Sequence, residues 1–86
     1  MRVLIPNPLR SYTAETAEVV ARGGTLDEVA ADLDRQYPGL RFRIIDEQGS
    51  IRPHIKLFVN RLQVRELSGP VSEGDEVMIV CALSGG

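Results

Sequence analysis

Thr25-Leu26-Asp27-Glu28-Val29-Ala30-Ala31-Asp32-Leu33-Asp34-Arg35-Gln36-Tyr37-Pro38-Gly39 carries the strongest structural signal in the chain. Thr25 and Glu28 stand at capping-box spacing, where each side chain satisfies an orphan backbone donor of the first helical turn. Leu26, Val29, Ala30, Leu33 and Tyr37 recur at helical spacing and make one apolar stripe. Asp27, Glu28, Asp32, Asp34 and Arg35 fall mostly off it. Pro38-Gly39 then stops the helix. The pattern predicts a helix over Leu26–Gln36. A single stripe needs a partner surface, and the flanking segments read as strands.

Upstream, Arg2–Ile5 is rich in β-branched residues and predicts an opening strand that ends at Pro6. Leu9 to Thr13 reads as a loop. Glu15–Ala21 carries Val19 and Val20 and runs into Gly23-Gly24, which predicts a second strand and a turn. Downstream, Leu40–Ile45 alternates Leu40, Phe42 and Ile44 with Arg41 and Arg43, and predicts a strand or extended segment. Asp46–Ser50 is a turn. Ile55–Asn60 is a strand with Ile55, Leu57 and Val59 on one face, and Gln63–Val64 a short edge segment. Ser68-Gly69-Pro70 and Glu73-Gly74-Asp75 are turns. Glu76–Ala82 is an apolar final strand, and Leu83-Ser84-Gly85-Gly86 a loose tail.

The 86 residues allow one domain, expected at 1–82 with the tail at 83–86. The expected class is α+β. A mixed sheet of four to five strands carries one main helix on one face, with the first and last strands parallel at its centre. That is the β-grasp arrangement, one of few un-knotted ways to close this order. Ten basic against twelve acidic residues give a net charge of −2. This argues against nucleic acid as a partner and against a polybasic membrane anchor. No apolar run approaches the ~20 residues of a membrane span, and Val3-Leu4-Ile5 is too short for a signal-peptide core. One cysteine, Cys81, permits neither an internal disulfide nor a cysteine-based metal site. A reduced, cytoplasmic protein is expected.

Several residue groups, taken together, resemble the ubiquitin-like sulfur carriers of the MoaD/ThiS family, especially the CysO-type branch. They are Ile5-Pro6 with Leu9-Arg10, Tyr37-Pro38-Gly39-Leu40, and His54-Ile55-Lys56-Leu57-Phe58-Val59-Asn60. Val64-Arg65, Glu73-Gly74-Asp75-Glu76-Val77 and Gly85-Gly86 complete the set. The resemblance runs nearly end to end. The chain departs from the family pattern at Cys81, near which proline is common, and at Leu83-Ser84, where small residues usually precede the glycines.

The resemblance implies a protein co-substrate rather than an enzyme. An ATP-dependent, E1-like adenylating enzyme would activate the Gly86 carboxylate, and a sulfur donor would displace AMP to leave a thiocarboxylate. A biosynthetic enzyme would then accept the sulfur. That acceptor belongs to cysteine synthesis in the CysO-type branch and to thiazole synthesis in the ThiS-type branch, whereas in the MoaD-type branch the carrier pairs with the large subunit of molybdopterin synthase. ATP and Mg²⁺ would belong to the activating partner, and no cofactor or metal to this chain. The small subunit of a permanent molybdopterin synthase, a ubiquitin-like modifier joined to lysines through Gly86, and a plain interaction module are the alternatives that fold alone does not separate.

The tail suits that role physically. Leu83, Ser84 and Gly85 would thread a narrow channel, and glycine has no Cβ to meet its wall. A terminal glycine pair arises by chance in roughly 0.5% of chains, which favours a functional reading over a frayed end. Period two in the last strand sends Val77, Ile79 and Cys81 to one face and Met78, Val80 and Ala82 to the other. By family analogy, Val77 and Ile79 enter the core. Met78, Val80 and Phe58 are then the candidate partner-binding face, whereas an inverted register would bury them. Cys81 is either a reactive thiol or an inert small hydrophobe. His54, the only histidine, has no second catalytic clue beside it. Arg10, Arg52, Arg61 and Arg65 are either steering charges or scattered surface arginines, and Asp27, Asp32 and Asp34 read as a solvated helix face.

Overall fold

The computed structural model describes residues 1–82. Strand β1, Arg2–Leu4, stops short of Pro6 and Pro8, which have no N–H to extend a ladder. The loop expected at Leu9 to Thr13 is instead a 3-10 helix over Asn7–Thr13. Pro8 sits in its first turn, where a missing N–H is harmless, and Leu9 and Thr13 are buried. Ala14 and Glu15 then adopt positive φ of 53° and 64°. That reversal is why strand β2 spans only Glu18–Val20 rather than starting at Glu15.

Helix α1 spans Leu26–Gln36, the expected bounds. Thr25 Oγ1 accepts from the Glu28 N–H at 3.2 Å. Glu28 Oε1 reaches back to the Gly24 N–H at 2.7 Å, one residue beyond the N-cap itself. Leu26, Val29, Ala30 and Leu33 are buried and Tyr37 half-buried, so the stripe faces the sheet.

Leu40–Ile44 is not a strand but a short helix, α2. Five residues reading Leu-x-Phe-x-Ile satisfy both periods, since positions i and i+4 share a face in either element. The middle residue separates them: Leu40 and Ile44 are buried while Phe42 is 53% exposed. Local chemistry selects the helix. Gly39 turns the chain at φ 96°, and Asp34 Oδ1 accepts from the N–H groups of Gly39 (3.1 Å) and Arg41 (3.2 Å). The Asp46–Ser50 turn forms as expected, with Asp46 Oδ1 accepting from the Gln48 and Ser50 N–H groups.

Strands β3 (Ile55–Val59), β4 (Leu62–Val64) and β5 (Glu76–Cys81) complete the sheet. Among the described residues the order is β2-β1-β5-β3-β4. β1 and β5 pair in parallel at the centre, with Val3 opposite Val77, and the other pairs are antiparallel. The connection between the two parallel strands carries α1 across one face of the sheet. Val3, Ile5, Val19, Leu57, Val77 and Ile79 meet the helix from below, all buried. The arrangement is a β-grasp, with the first and last strands as its parallel central pair.

Candidate functional site: the root of the C-terminal tail and the open sheet face

β5 lies between β1 and β3 and so is bonded on both edges. Cys81 sits opposite Ile55, and the Ala82 N–H donates to the His54 carbonyl at 2.7 Å. The tail is therefore rooted in the middle of the sheet rather than at a fraying edge. Leu83, Ser84, Gly85 and Gly86, the expected threading and sulfur-bearing residues, lie outside the described residues.

The helix fixes which face of β5 is open. Val77 and Ile79 are 2% and 3% exposed, on the helix side. Met78 and Val80 are half-buried on the other side, and Phe58 lies directly opposite Met78 in the β3–β5 register. The inverted register does not occur. Leu4 pairs with Met78 from β1 and joins the same face, half-buried. Sequence reasoning missed Leu4, although Val3 and Ile5 flanking it as core residues would have placed it there by period two. Charged residues rim the patch: Arg2 bridges Glu76 and Glu18 across β1, β5 and β2, and Lys56 lies opposite Val80. An apolar centre with a charged rim is the anatomy of a protein-docking surface.

The other candidates do not form a catalytic group. Cys81 is half-buried and packs against the core, and burial pushes its thiol up, only partly opposed by the charge of Arg43. A raised thiol is the reverse of an activated one. His54 is exposed at the entry to β3, and its backbone carbonyl rather than its ring engages the tail root. Arg10 Nε donates to the Ile5 carbonyl at 3.0 Å and so braces the end of β1. Asp27 pairs with Arg41, and Asp34 caps α2. Asp32 accepts from the Arg22 N–H and the Gln36 side chain. The helix carboxylates are thus structural. Among the described residues, no three His, Cys, Asp or Glu side chains are placed to hold a metal ion. Nor is any helix among them long and apolar enough to cross a membrane.

A family model described as the ThiS family matches residues 3–86. The chain belongs to the ThiS family. Among curated proteins, this ThiS-family chain is 35% identical to the sulfur carrier protein CysO of Mycobacterium tuberculosis over 89 aligned positions, covering 98% of this chain and 96% of the relative. It is 32% identical to the small archaeal modifier protein 3 of Haloferax volcanii over 65 positions, covering 72% and 70%. Among solved structures, it superposes on a chain of the Amycolatopsis orientalis BexX/CysO complex with a TM-score of 0.92 at 32% identity, covering 99% and 98%. The Mycobacterium tuberculosis CysO structure follows at 0.90 and 33%, covering 95% and 98%.

Proposed function

We propose that this ThiS-family chain is a sulfur carrier of the CysO type, loaded at the α-carboxylate of Gly86. The observation that carries the reading is the near full-length likeness to CysO in both sequence and structure, together with a family match that runs through residue 86.

The chemistry balances as two displacements. A Gly86 carboxylate oxygen attacks the α-phosphorus of ATP on an E1-like partner, and pyrophosphate leaves. Hydrosulfide, or a donor enzyme supplying its equivalent, then attacks the acyl carbon, and AMP leaves with the C–O bond electrons. Gly86 ends as a thiocarboxylate. The carrier supplies the nucleophilic oxygen and its placement, and the partner supplies ATP, Mg²⁺ and the channel. The slim Ser84-Gly85 tether reaches in while the face of Leu4, Phe58, Met78 and Val80 grips the partner's surface. A biosynthetic enzyme then takes the sulfur, and the chain itself is a co-substrate, not a catalyst. Incubation with the activating enzyme of the same organism, ATP and sulfide tests this. Pyrophosphate release that depends on the carrier is expected, and none would overturn it.

The likeness to small archaeal modifier protein 3 supports a second use, conjugation to lysine amines through Gly86. Isopeptide-linked adducts of Gly86 in extracts of the native host would establish it.

A further inference from the structure

A groove of about 680 Å³ opens between the Gly49–Pro53 segment, the start of α1 and strands β3 and β4, on the far edge of the sheet from β2. Ile51, Ile55, Leu57, Val64 and Leu67 give it an apolar lining. Four cations, Arg41, Arg52, Lys56 and Arg65, line it too, against only two carboxylates, Asp27 and Glu66. Arg41 is committed to Asp27 at 3.3 Å. Among the described residues, Arg52, Lys56 and Arg65 have no carboxylate in ion-pair contact. A surplus of cations in one groove is a segregation of charge in a chain whose net charge is −2.

Arg52 is also held in place. Its Nε donates to the Phe42 carbonyl at 2.6 Å and its guanidinium lies 4.5 Å over the Phe42 ring. An arginine fixed on a ring loses little freedom when it meets a carboxylate, which favours binding. The groove adjoins the tail root, because Ile55, part of its lining, is the residue paired with Cys81. A partner that swallows the tail must therefore lie close to this groove.

We propose that the groove docks a segment of the adenylating partner in which acidic residues alternate with apolar ones. The apolar side chains meet Ile51, Val64 and Leu67, and the carboxylates meet Arg52 and Arg65. This rests on the carrier reading, since it names the partner's surface chemistry beside the tail channel. The groove is a second grip, at the β3–β4 edge of the sheet, and Lys56 stands between it and the face of Met78 and Phe58. Charge pairing there speeds and orients encounter more than it changes the chemical step.

The test is adenylation kinetics with the cognate activating enzyme, using Arg65→Glu, Arg52→Gln and, as a control with the same change of net charge as the first, Arg22→Glu. Arg65 is exposed, so its variant keeps the fold, which a thermal melt confirms. The expected result is a KM for the carrier raised about tenfold by Arg65→Glu with kcat retained, and a loss of the salt dependence that the wild type shows. Arg22→Glu stays within about twofold of wild type. An unchanged KM for both Arg65→Glu and Arg52→Gln, or an equal rise for Arg22→Glu, would overturn the groove proposal while leaving the carrier reading intact. A wild-type chain that is never adenylated would overturn the carrier reading instead.

Discussion

Asn60 and Asp75 clasp each other across the sheet: Asn60 Nδ2 donates to Asp75 Oδ1 at 2.9 Å. Asn60 Oδ1 accepts from the Glu76 N–H at 3.0 Å, and Asp75 Oδ2 from the Ser72 N–H at 2.8 Å. Asn60 sits at φ 50° and Arg61 at φ 72°, the turn that joins β3 to β4. Asparagine tolerates that left-handed conformation better than most residues, and here its amide also pins the entry to β5. Two of the most specific motifs in the sequence, Phe58-Val59-Asn60 and Gly74-Asp75-Glu76-Val77, thus meet as one device.

The clasp gives a pH dependence with a definite sign. The Asn60 amide, and after it the Ser72 N–H, hold the Asp75 carboxyl below its ordinary value of 3.8. A depressed pKa stabilises the fold above the unfolded value and is lost as pH falls through the folded one. Asp75→Ala should therefore be less stable than wild type at pH 7. The gap should stay constant down to about pH 5 and close as pH falls below 3.8. Urea denaturation at pH 7, 5 and 2.5 checks this, and a gap that did not narrow between pH 5 and 2.5 would show that the ionised carboxylate is not what matters.

Leu40→Ala should cost about 2–4 kcal/mol, because it empties a fully buried site. Phe42→Ala should cost under about 1 kcal/mol, the loss of a half-exposed ring and its arginine contact. In a strand with Leu40, Phe42 and Ile44 on one face, the two costs would be alike. Denaturant titrations of both variants distinguish the helix from the strand.

Gly23→Ala should destabilise by about 1–3 kcal/mol without touching function. A Cβ there would stand 2.7 Å from the Val29 nitrogen and 2.9 Å from the Glu28 carbonyl carbon, both rigid helix backbone. A thermal melt no lower than wild type would mean that the approach of the β2–α1 loop to the helix can relax.

Met78→Glu tests the open face. Its site is half-buried, so the fold should survive with a loss of about 1–2 kcal/mol, but a charge at the apolar centre should weaken partner docking at least tenfold. Binding to the cognate activating enzyme by calorimetry is the readout. Undiminished affinity would move the docking surface elsewhere.

Sequence legibility followed how many physical signals each segment carried. Helix α1 had a cap, a stripe and a stop, and its bounds were readable to the residue. The face of β5 was readable because Val77 and Ile79 alternate with residues that the helix cannot also cover. Leu40–Ile44 was misread because five residues cannot distinguish periods of 2 and 3.6. The deciding contact, Asp34 to the Arg41 N–H, comes from seven residues upstream. The 3-10 helix at Asn7–Thr13 was hidden by its prolines, which mark a turn as readily as a helix start. The cationic groove was legible only in part: Arg52 and Arg65 stood out as candidate steering charges, but folding alone gathers them with Arg41 and Lys56 into one groove.

The most direct measurement is the intact mass of the chain before and after incubation with its cognate activating enzyme, ATP and sulfide, with a Gly86-deleted chain alongside. Replacing one carboxylate oxygen by sulfur adds about 16 Da. That gain is expected on the wild type, localised to Gly86, and none on the deleted chain, whose melting temperature should match wild type. A wild-type chain that releases pyrophosphate yet never gains the mass, or a deleted chain that gains it, would contradict a carrier loaded at Gly86.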